Sequence, residues 1–238
     1  MTPLIIFLGA TGSGRTIAIK ELTTNAWPEG KKIRVLFEKS ESASDDDRWN
    51  FQNGEAIIPQ PGQEDAAILV TQGKLSPVDQ MEAIHRALAT SRWQCQRILT
   101  IVDCPLASRH HELMEWYQAC IHFSDVVILN RRWEVPGQWV SKFLEPYEAD
   151  FYPCLFINLL KNGTFQNPAA IIEGEPLRLS HIFDEIDAVD EMEFDEDNLP
   201  DEPFDLVRQP DKYFARDELG RRKISVPDIS EILKAEGR

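Results

Sequence analysis

The run Gly9-Ala10-Thr11-Gly12-Ser13-Gly14-Arg15-Thr16 constrains the fold of this chain more than any other stretch. Its three glycines allow backbone conformations with positive φ that a Cβ resists. An apolar stretch at residues 4–8 precedes it, and a segment with helical character at residues 16–25 follows. A strand, a glycine loop and a helix in that order can turn successive N–H groups inward, toward an anion at the positive end of the helix. The spacing is that of a phosphate-binding loop (P-loop), with Arg15 where Lys is usual. Residues 9–15 would cradle phosphates, and the Thr16 hydroxyl would sit on Mg²⁺. Arg keeps the charge but is longer, planar and geometrically more demanding than Lys. The plain alternative is a strand-to-helix turn that holds nothing.

The rest of the chain repeats the first unit. Short apolar runs recur at residues 33–37, 67–70, 98–102, 126–129 and 154–157. Runs apolar on both faces suit a parallel sheet covered by helices. Helical spacing lies between several of them: Val78, Met81, Ile84 and Leu88 within residues 76–91, and Leu113, Trp116, Tyr117, Cys120 and Ile121 within residues 108–123. The expected fold class is therefore a three-layer α/β P-loop fold with a mainly parallel sheet and right-handed crossovers. Residues 40–47 and 53–65 read as polar loops. Residues 226–236 read as a short terminal helix, with Pro227 near its start.

Net charge divides the chain. Of the total of −15, residues 184–205 contribute −12 with no basic side chain, residues 206–238 contribute +2, and −5 is left for residues 1–183. The expectation is a body at 1–183 and an acidic extension at 184–238. Such a balance speaks against a general nucleic-acid binder, which needs a basic face. It speaks equally against docking on anionic lipid. No apolar run approaches the ~18 residues of a membrane span. Cys95, Cys104, Cys120 and Cys154 have no metal-site spacing and read as reduced thiols of a cytoplasmic protein. The acidic segment, interrupted by Met192, Phe194, Leu199 and Phe204, is either a solvated tail or a contact for a protein partner.

Several segments, in order, resemble the CobW-type GTPases, relatives of the hydrogenase and urease nickel-insertion GTPases. The resemblance runs over residues 3–183. It rests on Ile6-Phe7-Leu8-Gly9 with the loop, on Val35-Leu36-Phe37-Glu38, and on Ile68-Leu69-Val70-Thr71-Gln72-Gly73 followed by Leu75-Ser76-Pro77. It continues through Ile101-Val102-Asp103, the stretch from Phe123 to Arg131, and Asn167-Pro168 with Ala170 and Ile172. It implies GTP or another nucleoside triphosphate with Mg²⁺. Phosphates would lie on Gly9, Ala10, Thr11, Gly12, Ser13, Gly14 and Arg15. The base would lie near Asn130 and Arg131, and the metal on Thr16 and Glu38.

The departures fall on the chemistry. Val70 stands where that family carries an acid, and Trp133 where it carries the base-reading Asp. No thiol follows Asn53-Gly54, where the family's metal motif would begin. The implied function is nucleotide binding with weak or lost hydrolysis. The alternative is a pseudo-GTPase, a scaffold that works by protein contact without nucleotide. Among other candidates, Asp103 reads as a strand-end cap or a group near the metal. His110 and His111 read as a solvated helix start, and Trp116 and Tyr117 as core. Trp133, Trp139 and Phe143 read as either a cover over the Asn130 loop or helix packing.

Overall fold

A computed structural model describes residues 1–41, 47–184 and 210–238. The acidic stretch from residue 185 to residue 205, and residues 42–46 of the expected polar loop, lie outside the described residues.

The sheet has eight strands: β1 (Thr2–Gly9), β2 (Ile33–Glu38), β3 (Arg48–Gln52), β4 (Glu55–Ile57), β5 (Ala66–Val70), β6 (Trp93–Asp103), β7 (Val126–Asn130) and β8 (Leu155–Asn158). Their order is β4-β3-β2-β5-β1-β6-β7-β8. Among these described strands only the β3–β4 pair is antiparallel. The central strand β1 pairs with β5 on one side and β6 on the other.

Side chains alternate across the pleat. Ile5 and Phe7 face α1 (Arg15–Asn25), packing with Ala18, Ile19 and Leu22. Leu4, Ile6 and Leu8 face the opposite layer. That layer holds α2 (Pro77–Leu88), α4 (Glu112–His122) and α5 (Gly137–Ala149), which supply Met81, Ile84, Trp116, Tyr117 and Phe143 to the core. The short α6 (Ala169–Ile172) covers the α1 side. The three layers and the mainly parallel sheet are those the apolar runs predict.

Three local readings need correction. Residues 108–123 are not one helix. Asp103 accepts from the Leu106 amide at 3.3 Å and starts a separate α3 (Cys104–Arg109), which ends where His110 turns extended at φ −124°. Residues 53–65 are not all loop, because β4 folds back on β3 through Asn53-Gly54, at φ 55° and 76°. Asn-Gly with positive φ at both positions is the preferred two-residue hairpin turn. Finally, β6 begins at Trp93, five residues before the run at 98–102.

Residues 210–238 pack on the body. In α7 (Ser230–Ala235) Leu233 is fully buried, and Ile229 just before it is too. Asp211 accepts from His122 at 2.8 Å and from the Ser180 hydroxyl at 2.5 Å. Arg222 reaches Asp79 and Glu82 on α2. No helix among the described residues is long and apolar enough to cross a membrane.

Candidate functional site: the glycine loop and its cavity

The loop leaves the carboxyl end of β1, between the ends of β5 and β6. Gly9, Gly12 and Gly14 all have positive φ, at 147°, 76° and 95°. At Gly14 space is lacking as well as conformation. A Cβ there would lie 2.3 Å from Asn130 Nδ2. That nitrogen donates to the Ser13 carbonyl at 2.8 Å, so the end of β7 holds the loop. Thr11 N–H donates to the Gly73 carbonyl at 3.2 Å, and Ser13 N–H to the Ala10 carbonyl at 3.1 Å. The amides of Gly12, Gly14, Arg15 and Thr16 have no hydrogen-bond partner among the described residues. They lie at the N-terminus of α1, where partial positive charge gathers.

Beside the loop is a cavity of about 560 Å³, lined by Thr11, Gly12, Gly14, Arg15, Thr16, Ile17, Phe37, Ser40, Glu41, Gln72 and Lys74. Its far wall is the turn after β5. Gln80 on α2 fixes that turn by exchanging hydrogen bonds with the backbone of Gln72, at 2.7 and 2.9 Å. The Gln72 side chain in turn accepts from the Lys74 and Leu75 amides at 2.7 Å. Gly73 lies so close to the loop that a Cβ would come within 2.3 Å of Thr11 N.

Arg15 does not extend into open solvent. Its side chain is 8% exposed and folds across the cavity floor. Nη1 donates to the Thr71 carbonyl and Nη2 to Glu41 Oε2, both at 2.5 Å. Glu41 Oε1 accepts from the Thr11 hydroxyl at 2.5 Å and from Gly73 N–H at 2.9 Å. Thr16 is exposed at the cavity wall. Glu38 does not line the cavity: it accepts from the Ser40 amide at 2.8 Å and from the Ser40 hydroxyl, and is buried at the end of β2. Val70 is fully buried within β5.

Asp103, at the end of β6, forms a second charged cluster. Arg131 Nη2 donates to both its oxygens, at 2.5 and 2.6 Å, and Arg238 Nη1 donates to Oδ2 at 2.6 Å. Asp103 is fully buried, and Arg131 has φ 54°. Burial opposes the charge on Arg131, yet the Asp103 carboxylate holds its pKa above the ordinary value. Arg238 also lies over the loop, since a Cβ on Gly12 would meet its Cδ at 2.9 Å.

Of the residues expected to bind nucleotide, the loop and Asn130 meet in one place, whereas Arg131 is committed to Asp103. His110 is not simply solvated, because its Nε2 lies 2.8 Å from Glu236. Trp116 and Tyr117 are core. Trp139 stacks on Phe143 at 5.3 Å, and Trp133 is 43% exposed. Asp125, just before β7, is a buried structural acceptor for the Ile98 and Leu177 amides and for Arg178. Burial pushes the Cys104 and Cys154 thiols up to about 12, so neither is a ready nucleophile. No group of three or more metal-ligating side chains is present among the described residues. The sequence reading missed Glu41 and Arg238, and named Gly73 only as part of a family-like segment. The first lay in a stretch read as polar loop, and nothing local marked its destination.

Comparison with described protein families finds no match, and comparison with curated proteins finds none. Among solved structures, the chain is similar to the Zn(II)-bound YjiA GTPase from E. coli. The identity is 14% and the TM-score 0.40, over 74% of this chain and 66% of that one. It is similar to the hydrogenase maturation factor HypB from Archaeoglobus fulgidus, with 14% identity and TM-score 0.41, over 68% and 83%. It is also similar to the signal recognition particle receptor FtsY from Elizabethkingia anophelis in complex with GDP. There the identity is 12% and the TM-score 0.43, over 78% and 65%. The chain thus spans just under two thirds of the YjiA and FtsY structures. By its own geometry, with a glycine loop joining the central parallel strand to the first helix, the chain has the three-layer P-loop α/β fold.

Proposed function

We propose that this chain binds the phosphates of a nucleoside triphosphate in the cavity beside residues 9–16. One observation carries the reading. The loop leaves four amide N–H groups without partners at the start of α1, next to a 560 Å³ cavity that also holds a guanidinium. Oriented amides and a helix N-terminus favour an anion of this size. GTP is the first candidate, because the stretch from Phe123 to Arg131 resembles a guanine-recognition strand. Selectivity for guanine is expected to be poor. Trp133 replaces the acid that would accept from the base, and Arg131 is held by Asp103. Mg²⁺ bound with the nucleotide needs few protein ligands, because it keeps its waters and takes phosphate oxygens. Thr16, in the cavity lining, would supply one, whereas Glu38 is engaged with Ser40. Such an ion would neutralise phosphate charge. With Val70 in place of an acid, hydrolysis is expected to be weak or lost. We place this activity in the cytoplasm, where the thiols stay reduced.

Calorimetric titration with GTP and ATP, with and without Mg²⁺, tests the reading. Micromolar binding that disappears in Gly14→Val is expected, since Val cannot adopt φ 95° beside Asn130. Absence of heat at millimolar nucleotide would remove it. A second reading, a scaffold without nucleotide that uses the acidic segment for a protein partner, is favoured by the engagement of Arg15 with Glu41 and Thr71. Tight nucleotide binding would exclude it.

A further inference from the structure

Glu41 is the group in the cavity that phosphate binding does not call for. Its side chain is 12% exposed, and its two oxygens take the donors a phosphate would want. Arg15 Nη2 comes from the start of α1, the Thr11 hydroxyl from the glycine loop, and Gly73 N–H from the turn after β5. Three donors from three elements converge on one anionic group. Convergence of this kind, with a guanidinium among the donors, is how proteins hold carboxylate and phosphate alike.

The position of Glu41 is built. Its own amide donates to the Glu38 carbonyl at 2.9 Å, and the buried Glu38 carboxylate holds the Ser40 amide. The turn at residues 38–41 therefore aims Glu41 back over the loop. The partnerless amides of Gly12, Gly14, Arg15 and Thr16 stay on the loop beyond the carboxylate. The cavity thus has two parts: a free nest of amides, and a subsite already filled by the chain's own anion.

We propose that Glu41 is an internal stand-in for the terminal phosphate of a nucleoside triphosphate. Its carboxylate fills the subsite formed by Arg15, Thr11 and Gly73, and a triphosphate must displace it to bind fully. A diphosphate needs only the amide nest. The inference rests on the nucleotide reading above and adds to it a discrimination: with Glu41 in place, triphosphate gains nothing from its last phosphate.

The test is Glu41→Gln, which keeps shape and removes charge, with Glu41→Ala as a second variant that empties the subsite. Folding is checked by circular dichroism and the thermal midpoint. Titrations use GTP, ATP, GDP, ADP and inorganic pyrophosphate. The expected result is a triphosphate affinity raised about tenfold or more in both variants, the worth of one charged hydrogen bond. Diphosphate affinity should change less than threefold. Equal gains for both, or no gain or a loss for triphosphate, would overturn the stand-in and leave the nucleotide reading in place. Pyrophosphate separates the remaining cases, because it needs no base. As a diphosphate it should bind the wild type and both variants alike, and binding by the variants alone would overturn the stand-in. No binding of nucleotide or pyrophosphate by any form removes both.

Discussion

Asn130 Nδ2 lies 2.8 Å from the Ser13 carbonyl, so the last residue of β7 clamps the loop between β1 and α1. The strand that resembles a guanine-recognition strand holds the glycine loop through its last residue. Asn130→Asp turns the donor into an acceptor and leaves a buried carbonyl facing a carboxylate. We expect a loss of about 1–3 kcal/mol in stability. Phosphate affinity should weaken in parallel, and urea unfolding with calorimetric titration measures both. An unchanged midpoint would mean the clamp carries no weight.

Gly73 meets backbone rather than a flexible side chain. A Cβ there would lie 2.3 Å from Thr11 N and 2.6 Å from Gly9 O. Gly73→Ala is therefore expected to cost about 1–3 kcal/mol as the loop and the turn are forced apart. Gly137→Ala is the control, because nothing lies within 4 Å of its Cβ position. It should stay within about 0.5 kcal/mol of the wild type. Thermal unfolding of the two variants side by side decides the point.

Asp103 is fully buried between two guanidinium groups. Asp103→Asn keeps its shape but leaves Arg238 without its counter-charge and Arg131 with only Glu134, at 3.5 Å. The expected destabilisation is about 3 kcal/mol, toward the lower end for a broken buried pair because the arginines are partly exposed. Chemical denaturation measures it, and a change below about 1 kcal/mol would show that solvent replaces the pair.

Leu233 tests whether residues 210–238 belong to the folded body. It is fully buried in the main cluster. Leu233→Ala should cost about 2–5 kcal/mol and lower the midpoint of one cooperative transition. A wild-type midpoint would show that α7 does not share the core in solution.

The attachment of α7 should also depend on pH. Hydrogen bonds from Arg109 and then His110 bring the Glu236 carboxyl from its ordinary 4.5 down to about 2. A depressed carboxyl pKa favours the folded form wherever the group is ionised. The contribution is complete above pH 4.5 and is lost as pH falls toward 2. The protection of the α7 amides relative to their intrinsic exchange rates should fall across that window. In Glu236→Gln the exchange rates should lose this part of their acid dependence.

Much of the frame was legible because its signals are local. Apolar runs of strand length and glycines at fixed spacing depend on neighbours a few residues away. The hairpin at Asn53-Gly54 was legible too, and was missed because its flanking strands are short and weakly apolar. The break at His110 had a signal in Pro105, which begins a helix earlier than the apolar spacing suggests.

By itself the sequence determined that β1 ends in a loop able to turn amides inward, and that an α/β sheet surrounds it. Local backbone freedom and side-chain period fix those features. Only the tertiary structure decided what the loop faces. Arg15 meets Glu41 across 26 residues and Thr71 across 56, and Asp103 meets Arg238 across 135. These partners are brought together by the order of parallel strands, each crossover carrying the chain back to the same end of the sheet. No spacing along the chain encodes that meeting, so the carboxylate of Glu41 held beside the glycine loop could be seen only once the sheet was assembled.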